Sequence, residues 1–213
     1  MKYVPCALGL AVMLVFAAPC FGASQGPNSP GTAADDAVVG TESWANPNNS
    51  KVSDGIYATT VLNNYRANTR DKYVQIVKSD GSIGSANKAA SDYWVYRTDT
   101  YASYGGPADL WGESWDADKI NDADFGVVIS AYSIKEDYAE NITHYLRATN
   151  FGFSIPAGAT INGIFAEVEK QRGGGGSSET IYIDHVRMTV YYTEATPPVT
   201  RLRNSTWRNA TIR

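Results

Sequence analysis

The chain has 213 residues, a formal net charge of −4, 43% hydrophobic and 19% charged residues, and two cysteines. This balance excludes a disordered chain, and the negative charge argues against a nucleic-acid binder. Cys6 and Cys20 both precede residue 23, so the rest of the chain can build neither a disulfide framework nor a thiolate zinc site.

In chain order, Lys2 is followed by an apolar run from Ala7 to Ala18, too short to span a bilayer. Cys20 and Gly22 stand at the −3 and −1 positions of a cleavage point after Gly22. This is the pattern of a secretory signal peptide over 1–22. It implies a secreted, cell-surface or periplasmic protein. No later apolar run has the length of a membrane span, and none is expected. Residues 23–36 are rich in Gly, Pro and Ser and read as a flexible linker.

From 37 to 194 the pattern alternates with period two, as strands do. Val74 and Ile76 oppose Tyr73, Gln75 and Val77. Phe125, Val127, Ile129 and Ala131 share a face. Ile164, Ala166 and Val168 oppose Glu167 and Glu169. Tyr182, Val186, Met188, Val190 and Tyr192 are expected on one face. Turn residues separate these runs at Ser79–Gly81, Gly105–Pro107, Pro156–Gly158 and Gly173–Gly176. Pro156 and Gly158 suit a tight turn whose flanks, Ile155 and Ile161, both reach the core. Ser114–Asn121 suits one helical turn capped by Asp116. The fold class is therefore all-β: an antiparallel, jelly-roll-like β-sandwich with one wet and one buried face per sheet.

Candidate chemistry is sparse. His144 and His185 lie in separate runs, where a solvated or structural role is expected and metal ligation is not. There is no G-x-S-x-G, H-E-x-x-H or phosphate loop, so no catalytic residue and no enzyme activity is assigned. Acidic residues cluster at Asp109, Glu113, Asp116, Asp118, Asp122 and Asp124. Of these, Asp116, Asp118, Asp122 and Asp124 are weak Ca²⁺ candidates, against the alternative of a solvated acidic loop; no other cofactor is expected. Tyr93, Trp94, Tyr96, Tyr101, Tyr104, Trp111 and Trp115 are concentrated in one stretch. They either line a ligand surface, as aromatic platforms for sugars do, or fill the sandwich core. Asn48, Asn141, Asn204 and Asn209 begin glycosylation sequons, relevant only in a glycosylating host.

Four segments carry a resemblance: SWANPNNSKVSDGIYAT from residue 43, the run Tyr104–Ala131 with DLWG and FGVVISA, YLRATNFGFSIPAGATINGI from Tyr145, and IDHVRMTVYY. Together they resemble a poorly characterised family of secreted and phage-associated β-sandwich modules. The resemblance implies a sandwich fold and, as one alternative, a structural component of a phage particle. In that family the FGFSIP segment directly follows DGIYAT and the DLWG segment comes later; here the two blocks are exchanged. FSIPAGATI is also similar to strand-turn-strand signatures of jelly-roll carbohydrate-binding modules.

Residues 195–213 form a basic tail. Four arginines and no acid occupy 201–213, and Leu202, Trp207 and Ile212 recur every five residues. The tail resembles the start of a pentapeptide-repeat solenoid, which needs further repeats to bury its core. The alternative is an ordinary basic tail. The expected function is that of a secreted, non-catalytic module with a structural or adhesive role. Its partner would be an extracellular protein or glycan surface, in a longer or multimeric assembly. A carbohydrate-binding module is the alternative.

Overall fold

The computed structural model describes residues 22–63, 68–134, 140–174 and 178–196. All but Gly22 of the 1–22 signal-peptide reading, and the repeat reading of the tail from residue 200, lie outside the described residues. Among the described residues no helix is long and apolar enough to cross a membrane.

Among the described residues ten strands run in chain order as β1 (Ala23–Asn28), β2 (Thr32–Asp36), β3 (Ala58–Leu62), β4 (Asn68–Val77), β5 (Thr100–Gly106), β6 (Gly126–Ile134), β7 (Asn141–Ile142), β8 (Tyr145–Thr149), β9 (Thr160–Gly174) and β10 (Glu179–Thr193). A 3₁₀ turn covers Pro47–Ser50, and the one α-helical turn among the described residues is α1, Ala117–Asn121. The strands form two five-stranded antiparallel sheets. One has the order β1-β10-β9-β5, with β3 also on β10; the other has β2-β8-β6-β4, with β7 on β6. The chain passes repeatedly between the sheets, giving the expected antiparallel β-sandwich.

The alternation sorts the residues as its period requires. Ile164, Ala166 and Val168 of β9 meet Val74 and Ile76 of β4 and Val127, Ile129 and Ala131 of β6 in one buried core. Val77, Val128 and Tyr145 point the other way, into a small cluster with Tyr73 and Ile83. Ile155 and Ile161 are both buried around the Pro156–Gly158 turn, which closes with Ala159 N–H on Pro156 O at 3.1 Å. Asp116 caps α1 by accepting from Lys119 N–H.

Two expectations need correction. Residues 23–36 are not a linker throughout: β1 pairs with β10 and β2 with β8. Both are edge strands, where Gly and Pro are tolerated because one side of the backbone has no ladder to complete. Tyr182 does not share a face with Val186. Register shifts between Ile183 and His185, so Asp184 is an extra residue that inverts the parity. The core side carries Ile181 and Ile183 before the bulge and Val186, Met188 and Val190 after it. This is the usual consequence of a β-bulge.

Candidate functional site

The most developed polar grouping is a buried seam between the sheets. Asp71 comes from β4, the edge of one sheet; Lys170 and Tyr104 come from β9 and β5 of the other. The Lys170 and Asp71 side chains are 7% and 0% exposed. Lys170 Nζ donates to Asp71 Oδ1 and to the Tyr104 hydroxyl, at 2.5 Å. Tyr104 in turn donates to Asp71 Oδ2 at 2.8 Å. Trp94 Nε1 donates to Oδ1 at 2.8 Å, and Ala90 N–H to Oδ2 at 3.1 Å. The rings of Trp94 and Tyr104 flank the ammonium, with centroids 4.7 and 5.3 Å from Nζ. Burial pushes Lys170 below the ordinary lysine range, against the opposing pull of Asp71. Burial and the Asp71 charge push the Tyr104 phenol up, so it stays protonated.

The seam continues. Thr69, two residues before Asp71, donates to Glu179 Oε2 at 2.5 Å, and Arg172 holds Glu179 Oε1 at 2.5 Å. Arg172 Nε donates to Trp94 O at 2.8 Å. The segment around Trp94 is pinned to both sheets by Trp94 N–H on Thr69 O and Arg172 N–H on Val95 O. Charged and hydroxyl groups from β4, β9 and β10 thus brace one side of the sandwich.

A second grouping lies on the outer face of the β9–β10 hairpin. The bulge residue Asp184 accepts from Gly55 N–H at 3.1 Å and holds the preceding loop on the sheet. Burial raises its carboxyl, and the Gly55 and Asp54 N–H groups oppose this. Tyr57 donates to Asp99 at 2.8 Å; burial and that bond push its phenol up to about 12. His185 is 9% exposed, with Nε2 2.8 Å from Ser29 Oγ and Nδ1 3.0 Å from Tyr101 OH. Burial and Arg187 lower its pKa, against Glu169 and Glu167, so it is neutral at pH 7. Ser29 and His185 lie at nucleophile–base distance, but a phenol occupies the position where a carboxylate would orient the imidazole.

The aromatic stretch does not form one platform. Trp94, Tyr104 and Trp111 are 3%, 3% and 0% exposed, so they present no ring face to a ligand. Trp111 Nε1 donates to Ile164 O at 3.0 Å. Tyr101 is half-buried, its ring covered by Arg187 with Cζ 4.0 Å from the centroid. Trp115 donates to Leu110 O and packs edge-on to Phe125. Only Tyr93 and Tyr96 are exposed; Arg70 stacks on Tyr93, and Arg97 and Arg172 lie over Tyr96. Within β5 the reason is period two, since Tyr101 and Tyr104 are three residues apart and face opposite ways; Tyr93, Trp94, Tyr96, Trp111 and Trp115 lie outside the strands, and each goes where its loop packs.

The acidic loop is equally dispersed. Asp116 caps α1, and Asp122 accepts from Asp124 N–H at 2.8 Å. Asp118 and Asp124 are exposed. Asp109 pairs with Lys88 at 2.7 Å; although burial opposes it, that pair and the Trp111 N–H lower its carboxyl. Among the described residues no group of three or more His, Cys, Asp or Glu side chains is arranged to hold a metal. A surface pocket of about 400 Å³ does form beside this loop. It is lined by Lys78, Asp80, Glu113, Trp115 and Lys119 among others.

Sequence reasoning passed over Asp71 and Lys170. For Lys170 a signal existed: it continues the inward parity of Val168. For Asp71 it did not, because register shifts between Asp71 and Tyr73, so its parity with Val74 is broken. No family model, no curated protein and no solved structure matches the chain.

Proposed function

We propose that the chain is a secreted, non-catalytic β-sandwich module with a structural or adhesive role at a cell surface or in an extracellular assembly. The observation that carries this reading is the Asp71–Lys170 seam. The most deeply buried ion pair among the described residues joins the two sheets rather than facing a cleft. Such a brace suits a domain that must hold its shape under load. The leader pattern and the cysteine-free strands suit an oxidising compartment. Antibody labelling of intact source cells, together with assay of the medium, tests the reading: surface or extracellular protein is expected. Retention in the cytosol with the leader uncleaved overturns it.

A carbohydrate-binding module is the second reading. The pocket beside Trp115 favours it, since two remote loops bring one aromatic ring together with Asp80, Glu113, Lys78 and Lys119. A glycan array probed with the wild type and with Trp115→Ala decides: binding lost in the variant supports a lectin-like role, and no binding by wild type removes it. Trp111 is unsuited to this test because it is wholly buried.

A further inference from the structure

We propose that Lys170 and Asp71 become joined by an amide bond from Nζ to Cγ, a covalent cross-link between the two sheets that the folded chain forms on itself. The proposal goes beyond the structural or adhesive reading and does not depend on it.

Three features of the seam carry the inference. The reacting groups are already in contact: Lys170 Nζ donates to Asp71 Oδ1, with both side chains almost entirely shielded from water at 7% and 0% exposure. Holding a nucleophile against an acyl carbon in this way replaces the entropic part of the barrier with folding itself. The rings of Trp94 and Tyr104 close over the ammonium and shield the pair from bulk water. The reaction begins as one proton passes from the ammonium through the Tyr104 hydroxyl to Oδ2, giving an amine and a carboxylic acid. The surrounding donors are already aimed at the carboxyl group. Trp94 Nε1–H points at Oδ1, while Tyr104 O–H and Ala90 N–H point at Oδ2.

The step balances without any other reactant. The Nζ lone pair attacks Cγ, a C–N bond forms, and the carbonyl pair moves onto Oδ1, where Trp94 Nε1–H stabilises it. Tyr104 accepts a proton from Nζ, as its 2.5 Å contact allows, and passes its own proton to Oδ2. The Cγ–Oδ2 bond breaks, Oδ2 leaves as water, and the Oδ1 carbonyl re-forms as the amide carbonyl. Tyr104 ends as it began. The same burial that assembles the groups keeps water from reversing the reaction.

The test is the intact mass of the purified full chain in its processed form. A deficit of one water is expected, together with a branched peptide after proteolysis that contains both residue 71 and residue 170. Lys170→Arg and Asp71→Ala should each restore the full mass and abolish the branch. Asp71→Asn should still cross-link, but with loss of ammonia in place of water. Wild-type protein at its full sequence mass overturns the proposal, as does a water deficit with no branched peptide. Both results come from the wild type, so they hold even if the variants fail to fold.

Discussion

Replacing Lys170 with methionine tests the energetics of the seam directly. The substitution keeps most of the side-chain volume but removes the cation from a carboxylate that is 0% exposed. Asp71 would retain only neutral donors, from Trp94, Tyr104 and Ala90. Breaking a buried ion pair on one side costs about 3–5 kcal/mol, a fifth or more of the roughly 5–15 kcal/mol that holds a typical domain. Adding Asp71→Asn removes the stranded charge but leaves an oxygen to accept from Trp94. The Lys170→Met/Asp71→Asn double variant should therefore be more stable than Lys170→Met by about 2 kcal/mol or more, the remaining loss being a hydrogen bond of about 1 kcal/mol. Neither protein can form the amide with methionine at 170, so their difference reports the electrostatics alone. Urea unfolding followed by tryptophan fluorescence measures it, with Trp94 as a reporter inside the seam. A double variant no more stable than the single would refute the reasoning. It would show that Asp71 is hydrated or rearranged once Lys170 is gone.

Gly105→Ala should destabilise the sandwich by about 2–5 kcal/mol, the sum of left-handed strain and overpacking. Gly105 has φ +73°, and an added Cβ would lie 2.3 Å from Ile164 O and 2.6 Å from Trp111 Nε1; thermal melts read the loss. The lowered pKa of His185 makes a neutral ring part of the fold. Its contribution is whole above the unfolded value of 6.5 and is lost as pH falls below it, because the unfolded chain protonates first. His185→Gln should flatten the stability profile between neutrality and the carboxylate range, and an unchanged slope would contradict the assignment. The exposed Ser29 should stay unlabelled by a serine-directed fluorophosphonate. Labelling abolished by His185→Ala would instead make the Ser29–His185 pair a working nucleophile and base. Asp116→Ala should lower the melting temperature modestly, since losing an N-cap costs about 1 kcal/mol.

Much of the sandwich was legible because its signals are local. Val74 and Ile76, Val127 and Ile129, and Ile164, Ala166 and Val168 each declare a face within one short run, and the Pro156–Gly158 turn and Asp116 cap follow from adjacent residues. The readings that failed crossed a register shift or needed a distant partner. Asp184 inverts the parity of Tyr182, and the composition of residues 23–36 conceals strands whose partners lie more than 100 residues away. The aromatic stretch was ambiguous for the same reason: only Tyr101 and Tyr104 lie in a strand, and which of the remaining rings meets a sheet depends on how the loops pack.

By itself, then, the sequence determined an all-β chain, the period of its strands and most of its core-facing residues, because side-chain alternation is a property of one strand's backbone. Only the tertiary structure decided which strands pair, that Trp94, Tyr104 and Trp111 are interior, and that Asp71 and Lys170 meet. These two residues are 99 positions apart and on different sheets. Nothing in either local pattern requires a partner, and only the packing of one sheet on the other places a carboxylate against an ammonium where water is excluded.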